Sequence, residues 1–264
     1  MDQVKKSVNQ YFQSLASFLD EVGSISKFAF RFFRQALSRP FEFKELLRQS
    51  YKIGYQSLLL VLTTGFIMGL VLTLQIRPTM ADFGAGSYMP GMIGIAIVRE
   101  IAPVVTALIC AGKIGSGIGA ELGSMKVTEQ IDAMEVSGTN PFKYLVVSRI
   151  WACTLMLPLL VIVADAVGLW GAFIVENIKG DVSFTLFFNE VFSKLVYGDL
   201  VPATIKSFFF GFAIGLVGCY KGYTSKKGTA GVGRAANTAV VISSLLLFVI
   251  DFIAVLLADI FYEI

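Results

Sequence analysis

The sequence predicts an all-α integral membrane protein, with an N-terminal interfacial helix, five transmembrane helices and a polar cytoplasmic helix between the second and third crossings. Three observations predict it. The chain of 264 residues is 55% hydrophobic and holds 23 Phe, with a mean hydropathy of +0.72, which is too apolar for an ordinary soluble domain. Its apolar residues fall in runs long enough to cross a bilayer. Its basic residues gather in alternate connections between those runs, the pattern of a multi-pass protein with one basic side.

Residues 1–52 form the first unit. Val4, Val8, Tyr11, Leu15, Phe18 and Val22 recur at three- and four-residue spacing and lay an apolar stripe along a helix whose other faces carry Lys5, Lys6, Asn9, Gln13 and Asp20. Such a helix lies on a membrane rather than across it. The stretch from Ser26 to Lys52 mixes Phe with Arg and Lys and restarts at Pro40, a good first helical position, so it reads as an elbow into the first span. The early acids and the lack of a short apolar core with a cleavage site resemble neither a signal nor a transit peptide, and the segment is expected to stay in the chain.

Residues 53–264 form the second unit. Span one is Ile53 to Ile76, without a charge. Span two is about Pro90 to Gly112, interrupted by Arg99 and Glu100. Span three, Ile150 to Val175, contains Pro158 and Asp165; span four, Leu200 to Tyr220, carries Lys206; span five, Ala235 to Ala258, carries Asp251. Nine Lys or Arg precede span one, four lie between Lys113 and Arg149 and four between Lys221 and Arg234, against Arg77, Lys179 and Lys194 on the other side. That bias puts the N-terminus in the cytoplasm and the C-terminus outside.

Composition also excludes. Without His there is no imidazole base, and most zinc sites are ruled out. Cys110, Cys153 and Cys219 lie singly in apolar runs, as small buried hydrophobes do. A net charge of +3 makes no case for nucleic acid. No catalytic residue and no metal ligand is identified. The run GKIGSGIGAELG lacks the Gly-Lys-Ser/Thr of a nucleotide loop; instead Gly115, Gly119 and Gly123, like Gly65 and Gly69 or Gly211 and Gly215, repeat every four residues, as close-packed membrane helices require.

The polar segment ELGSMKVTEQIDAMEVSGTNP stands apart. At 100° per residue Glu121, Thr128, Asp132 and Glu135 fall on one narrow helical face beside a stripe of Val127, Ile131 and Met134, and Gly138 with Asn140-Pro141 ends the helix at about residue 138. An acidic ridge beside an apolar one suits a groove on a soluble protein; a solvated connecting helix fits the same pattern.

At these residues the chain resembles a known family. ELGSMKVTEQIDAM, with VREIAPVVTALICAGKIGSGIGAELG before it and NPFKYLVVSRIWACTLMLPLL after it, is similar to the MlaE (YrbE) permeases, membrane subunits of ABC transporters that move lipids between bacterial membranes. Ile101-Ala102 stands where Leu-Gly is frequent in the family, and Lys113 where Arg is common. The resemblance implies a coupling helix within residues 121–138, with Glu121, Met125, Thr128, Glu129, Ile131, Asp132, Met134 and Glu135 facing an ATPase subunit. It implies that ATP and magnesium belong to that MlaF-like partner, with no cofactor in this chain. It further implies a homodimer, an MCE-domain MlaD-like lipid-binding partner, a small STAS-domain MlaB-like accessory protein, and a place in the bacterial inner membrane or, alternatively, the plastid inner envelope.

Charges within a bilayer need a partner or a wet cavity. Arg99 and Glu100 point about 100° apart, so at least one reaches another helix, a second subunit or a ligand. Arg99 as a bidentate phosphate ligand with Glu100 beside it, and a fixed interhelical ion pair, are both open. Asp165 and Asp251 read as packing groups, and Lys206 as snorkelling to the surface. Leu72, Gln75, Met80 and Phe83 would line the mouth of a lipid cavity between two copies in the family arrangement. An ion- or proton-coupled secondary carrier using the intramembrane charges, and a membrane scaffold recruiting soluble partners, are the competing functions.

Overall fold

A computed structural model describes residues 2–36, 38, 42–226 and 228–262, and every regular element among them is helical. Five helices are long and apolar enough to cross a membrane: Phe43–Asp82, Gly86–Val127, Phe142–Gly180, Tyr197–Tyr223 and Thr229–Phe261. They are spans one to five, and they bear out an all-α integral membrane protein. Each extends past its apolar run. The first has 40 residues, roughly 60 Å of helix against a ~30 Å hydrocarbon core, so residues 43–52 continue span one instead of forming a separate elbow.

The N-terminal helix Asp2–Ala36 meets the bundle through Phe28, Phe32 and Ala36, all buried and spaced four apart so that they share a face. The side chains of the expected stripe from Val4 to Phe18, and Pro40, lie outside the described residues. Phe28 sets its ring edge against Phe142 at 5.0 Å and Tyr220 at 5.5 Å, and the Arg31 guanidinium stands 4.2 Å over the Phe142 ring, a cation–π contact. This ties the N-terminal helix to the start of span three and the end of span four. We call that the basic end of the bundle.

Small residues set the helix spacing. A Cβ on Gly69 would overlap the Gly168 carbonyl, and one on Gly171 would overlap the Phe66 carbonyl. Spans one and three therefore touch backbone to backbone, as the four-residue glycine repeat predicts. Span five is the least enclosed, with only 11% of its apolar window buried within the chain.

One helix escapes the hydropathy reading. Phe184–Lys194, between spans three and four, is too short to register as a span. Its signal is present in the sequence: Ser183 accepts a hydrogen bond from the Leu186 N–H at 3.4 Å, ahead of Phe184, Phe187, Phe188 and Val191 at helical spacing. Phe187 and Val191 are fully buried, seated on the start of span two where Gly94 leaves room for Val191.

Candidate functional site

The charged site begins with a proline. Pro103 offers no N–H to the Arg99 carbonyl four residues back, and over Ile97–Ile101 the backbone widens into a π-helical turn, with the Ala102 N–H bonded to Ile97 O. Such turns bring extra side chains to one place and cluster at functional sites. Here the turn aims Arg99 and Glu100 at different neighbours. Arg99 Nε lies 3.5 Å from Asp199 Oδ1, and the other Asp199 oxygen accepts the Val196 N–H at 3.1 Å, which caps the start of span four. Glu100 Oε2 accepts from Lys206 Nζ at 2.8 Å, and Asp251 Oδ1 accepts from the same ammonium at 2.9 Å.

Spans two, four and five are thus cross-linked by one lysine. Lys206 does not snorkel: its side chain is 3% exposed, because two carboxylates from neighbouring helices neutralise it where it stands. Asp251 is one of those partners rather than a packing group alone. The Arg99 pair is looser. Its Nη1 and Nη2 make no hydrogen bond to protein among the described residues, and the side chain is 31% exposed.

Arg99, Glu100, Lys206 and Asp259 line a cavity of about 330 Å³, together with Pro202 and Ala203 of span four and Ala254 of span five. Pro202, Lys206 and Ala254 also border an apolar groove of about 620 Å³, whose walls include Ile205, Phe209, Ile253 and Leu257. A compact charged compartment opening onto an oily groove has the polarity profile of a lipid. Leu72, Gln75, Met80 and Phe83 line neither space. Leu72 and Met80 pack on the core of this chain, while Phe83 is 79% exposed at the end of span one.

At the basic end, the polar segment differs from one regular helix over 121–138. Span two runs on to Val127; the Thr128 hydroxyl and N–H both donate to Ser124 O, at 2.8 and 2.9 Å. Glu129 then takes a left-handed conformation, φ 58°, and a seven-residue helix follows at Gln130–Val136. A non-glycine residue there is strained, and burial of Ile131, 1% exposed, offsets the strain by turning the short helix onto the bundle. The break overturns the single acidic face.

Glu121 leaves that face altogether. Its oxygens accept from Lys52 Nζ at 2.8 Å and Arg149 Nη2 at 3.0 Å, joining spans one, two and three. Ile131 and Met134 pack inward on the core, and Met125 is partly buried against it as well. Thr128, Glu129, Asp132, Glu135 and Val136 are among the exposed residues of the segment. Asp132 accepts from Lys126 at 2.8 Å, and Val136 is 91% exposed, an apolar side chain presented among carboxylates.

Among the described residues no group of His, Cys, Asp and Glu could hold a metal ion. Residues 46–257 match the family model described as Permease MlaE. The chain is 36% identical over 247 residues to a probable ABC transporter permease protein of Rickettsia felis, covering 94% of both chains. It is 37% identical over 208 residues to a probable ABC transporter permease of Pyropia yezoensis, 79% of each. It is 31% identical over 239 residues to the intermembrane phospholipid transport system permease protein MlaE of Haemophilus influenzae, covering 89% of this chain and 92% of that one.

Proposed function

Since the chain belongs to the MlaE permease family, we propose that it is the membrane-spanning subunit of an ABC transporter that moves phospholipid between membranes. The observation that carries the lipid reading is the charged cavity of Arg99, Glu100 and Lys206 opening onto the apolar groove between spans four and five. Arg99 keeps both terminal nitrogens for a phosphate, which two parallel N–H donors grip bidentately. Glu100 and Asp251 occupy Lys206, which leaves the more loosely paired Arg99 as the cation facing the cavity, and the groove takes the acyl chains.

Transport needs an energy source. The chain has no nucleotide loop, so hydrolysis belongs to a separate ATPase bound at the basic end, where Thr128, Glu129, Asp132, Glu135 and Val136 form the exposed docking ridge. The basic end is cytoplasmic by its charge bias, and the membrane is the bacterial inner membrane. An MCE-domain protein receives or delivers lipid at the opposite end. Two copies assemble, with the apolar face of span five, so little buried within one chain, closing the lipid path between them.

Arg99→Ala tests the lipid site. The variant should assemble with its ATPase at normal stoichiometry yet retain less phospholipid through purification and lose lipid-stimulated ATP hydrolysis. Wild-type phospholipid cross-linking by an assembled variant would place the headgroup elsewhere.

A further inference from the structure

On the far side of span four lies a second cavity that the transport reading does not use. It measures about 310 Å³ and is bounded by span three, span four and the short helix Phe184–Lys194. Among the described residues Asp165, in the middle of span three, is its only ionisable side chain, and Asp165 Oδ1 is buried without a hydrogen-bond partner. A carboxylate in apolar surroundings is costly unless something pairs with it.

The rest of the lining says what that something is. Two hydroxyls face the cavity from span four, and both have spent their protons on backbone: Ser207 Oγ donates to Thr204 O at 2.6 Å, and Thr204 Oγ1 donates to Leu200 O at 2.8 Å. Both therefore turn acceptor lone pairs outward. No lysine or arginine contributes. Trp170, Phe188 and Phe192 supply a wall of aromatic rings, Trp170 and Phe188 at 6.3 Å and Phe188 and Phe192 at 6.1 Å between centroids, whose faces attract cations. The rim is open sideways, with Trp170 49% and Phe192 65% exposed, so the cavity communicates with the surrounding membrane.

An electronegative floor, aromatic walls and a lateral mouth match one chemistry. We propose that the Asp165 crevice binds the ammonium headgroup of an amine- or choline-bearing lipid, entering sideways from the bilayer. An inorganic cation fits poorly, because the remaining walls are apolar and offer it no shell of oxygens. The proposal concerns binding at a site separate from Arg99 and stands whether or not Arg99 holds a phosphate.

The two tryptophans of the chain are Trp151 and Trp170, so Trp151→Phe leaves the crevice residue as the sole reporter. Full-length Trp151→Phe protein in bilayers is titrated with chain-brominated phosphatidylethanolamine or phosphatidylglycerol, and quenching of Trp170 is read. Phosphatidylethanolamine should quench at about tenfold lower mole fraction, the scale of one charge-assisted contact. Asp165→Asn should abolish the preference and Asp165→Glu should retain it. Equal quenching by the two lipids, or a preference that survives Asp165→Asn, overturns the proposal. If Asp165→Asn does not fold, dodecyltrimethylammonium added to protein retaining Asp165 should relieve phosphatidylethanolamine quenching where dodecyl sulfate does not, and no relief overturns it equally. Protection of Trp170 from both lipids once the partner subunits are added assigns the crevice to a protein helix and also overturns it.

Discussion

Lys206 and Glu100, 106 residues apart, meet at 2.8 Å inside the helix bundle, and Asp251 completes the contact from span five. One ammonium answers two carboxylates. Lys206→Met should therefore be more harmful than either acid's removal, since it leaves two like charges facing each other. Breaking such a pair costs roughly 3–5 kcal/mol, and the low end applies because Glu100 is 39% exposed. Thermal unfolding in detergent should show Lys206→Met well below Glu100→Gln, and equal midpoints would contradict the three-way pairing.

The polar segment separates docking from structure. Asp132→Lys with Glu135→Lys alters exposed side chains only, so the protein should still insert in the membrane while co-purification of its ATPase falls. Recovery of that subunit at wild-type stoichiometry would remove the acidic ridge from the interface.

Glu121→Ala should behave in the opposite sense. Arg149 is 1% exposed and loses its charged acceptor, a cost of about 2 kcal/mol. Reduced thermal stability with normal ATPase binding is the expected pair of results. Normal stability with lost binding would return Glu121 to the docking surface.

Gly69 should tolerate no side chain. In Gly69→Leu the new atoms collide with the Gly168 backbone, forcing spans one and three apart at about 1–3 kcal/mol. Gly23, inside the N-terminal helix with open space around it, serves as the control: Gly23→Ala should leave the melting temperature unchanged or raise it slightly, since alanine is the better helix former.

Native mass spectrometry of the assembled complex should find two copies of this chain, because only 11% of the apolar stretch of span five is buried within one copy. A single copy in the intact complex would reject the shared lipid path.

The sequence by itself determined the number of crossings, the glycine seams and the location of the exposed acidic segment. These follow from local quantities: an apolar run has a length, a small residue recurs at four, and a chain of acids between spans has nowhere apolar to go. It also carried the family resemblance, in motifs contiguous along the chain. Tertiary structure alone decided which charges meet. Arg99 turns to Asp199 and Glu100 to Lys206 because Pro103 opens the helix there and the glycine-packed spans bring those positions within reach; the proline and the glycines stand in the sequence, but which partners they bring together does not. The same holds for the break at Glu129, where helical periodicity continues in the sequence but burial of Ile131 bends the backbone away from it. Periodicity reports the geometry a segment would adopt alone; long-range packing sets which side chains stay free for a ligand or a partner.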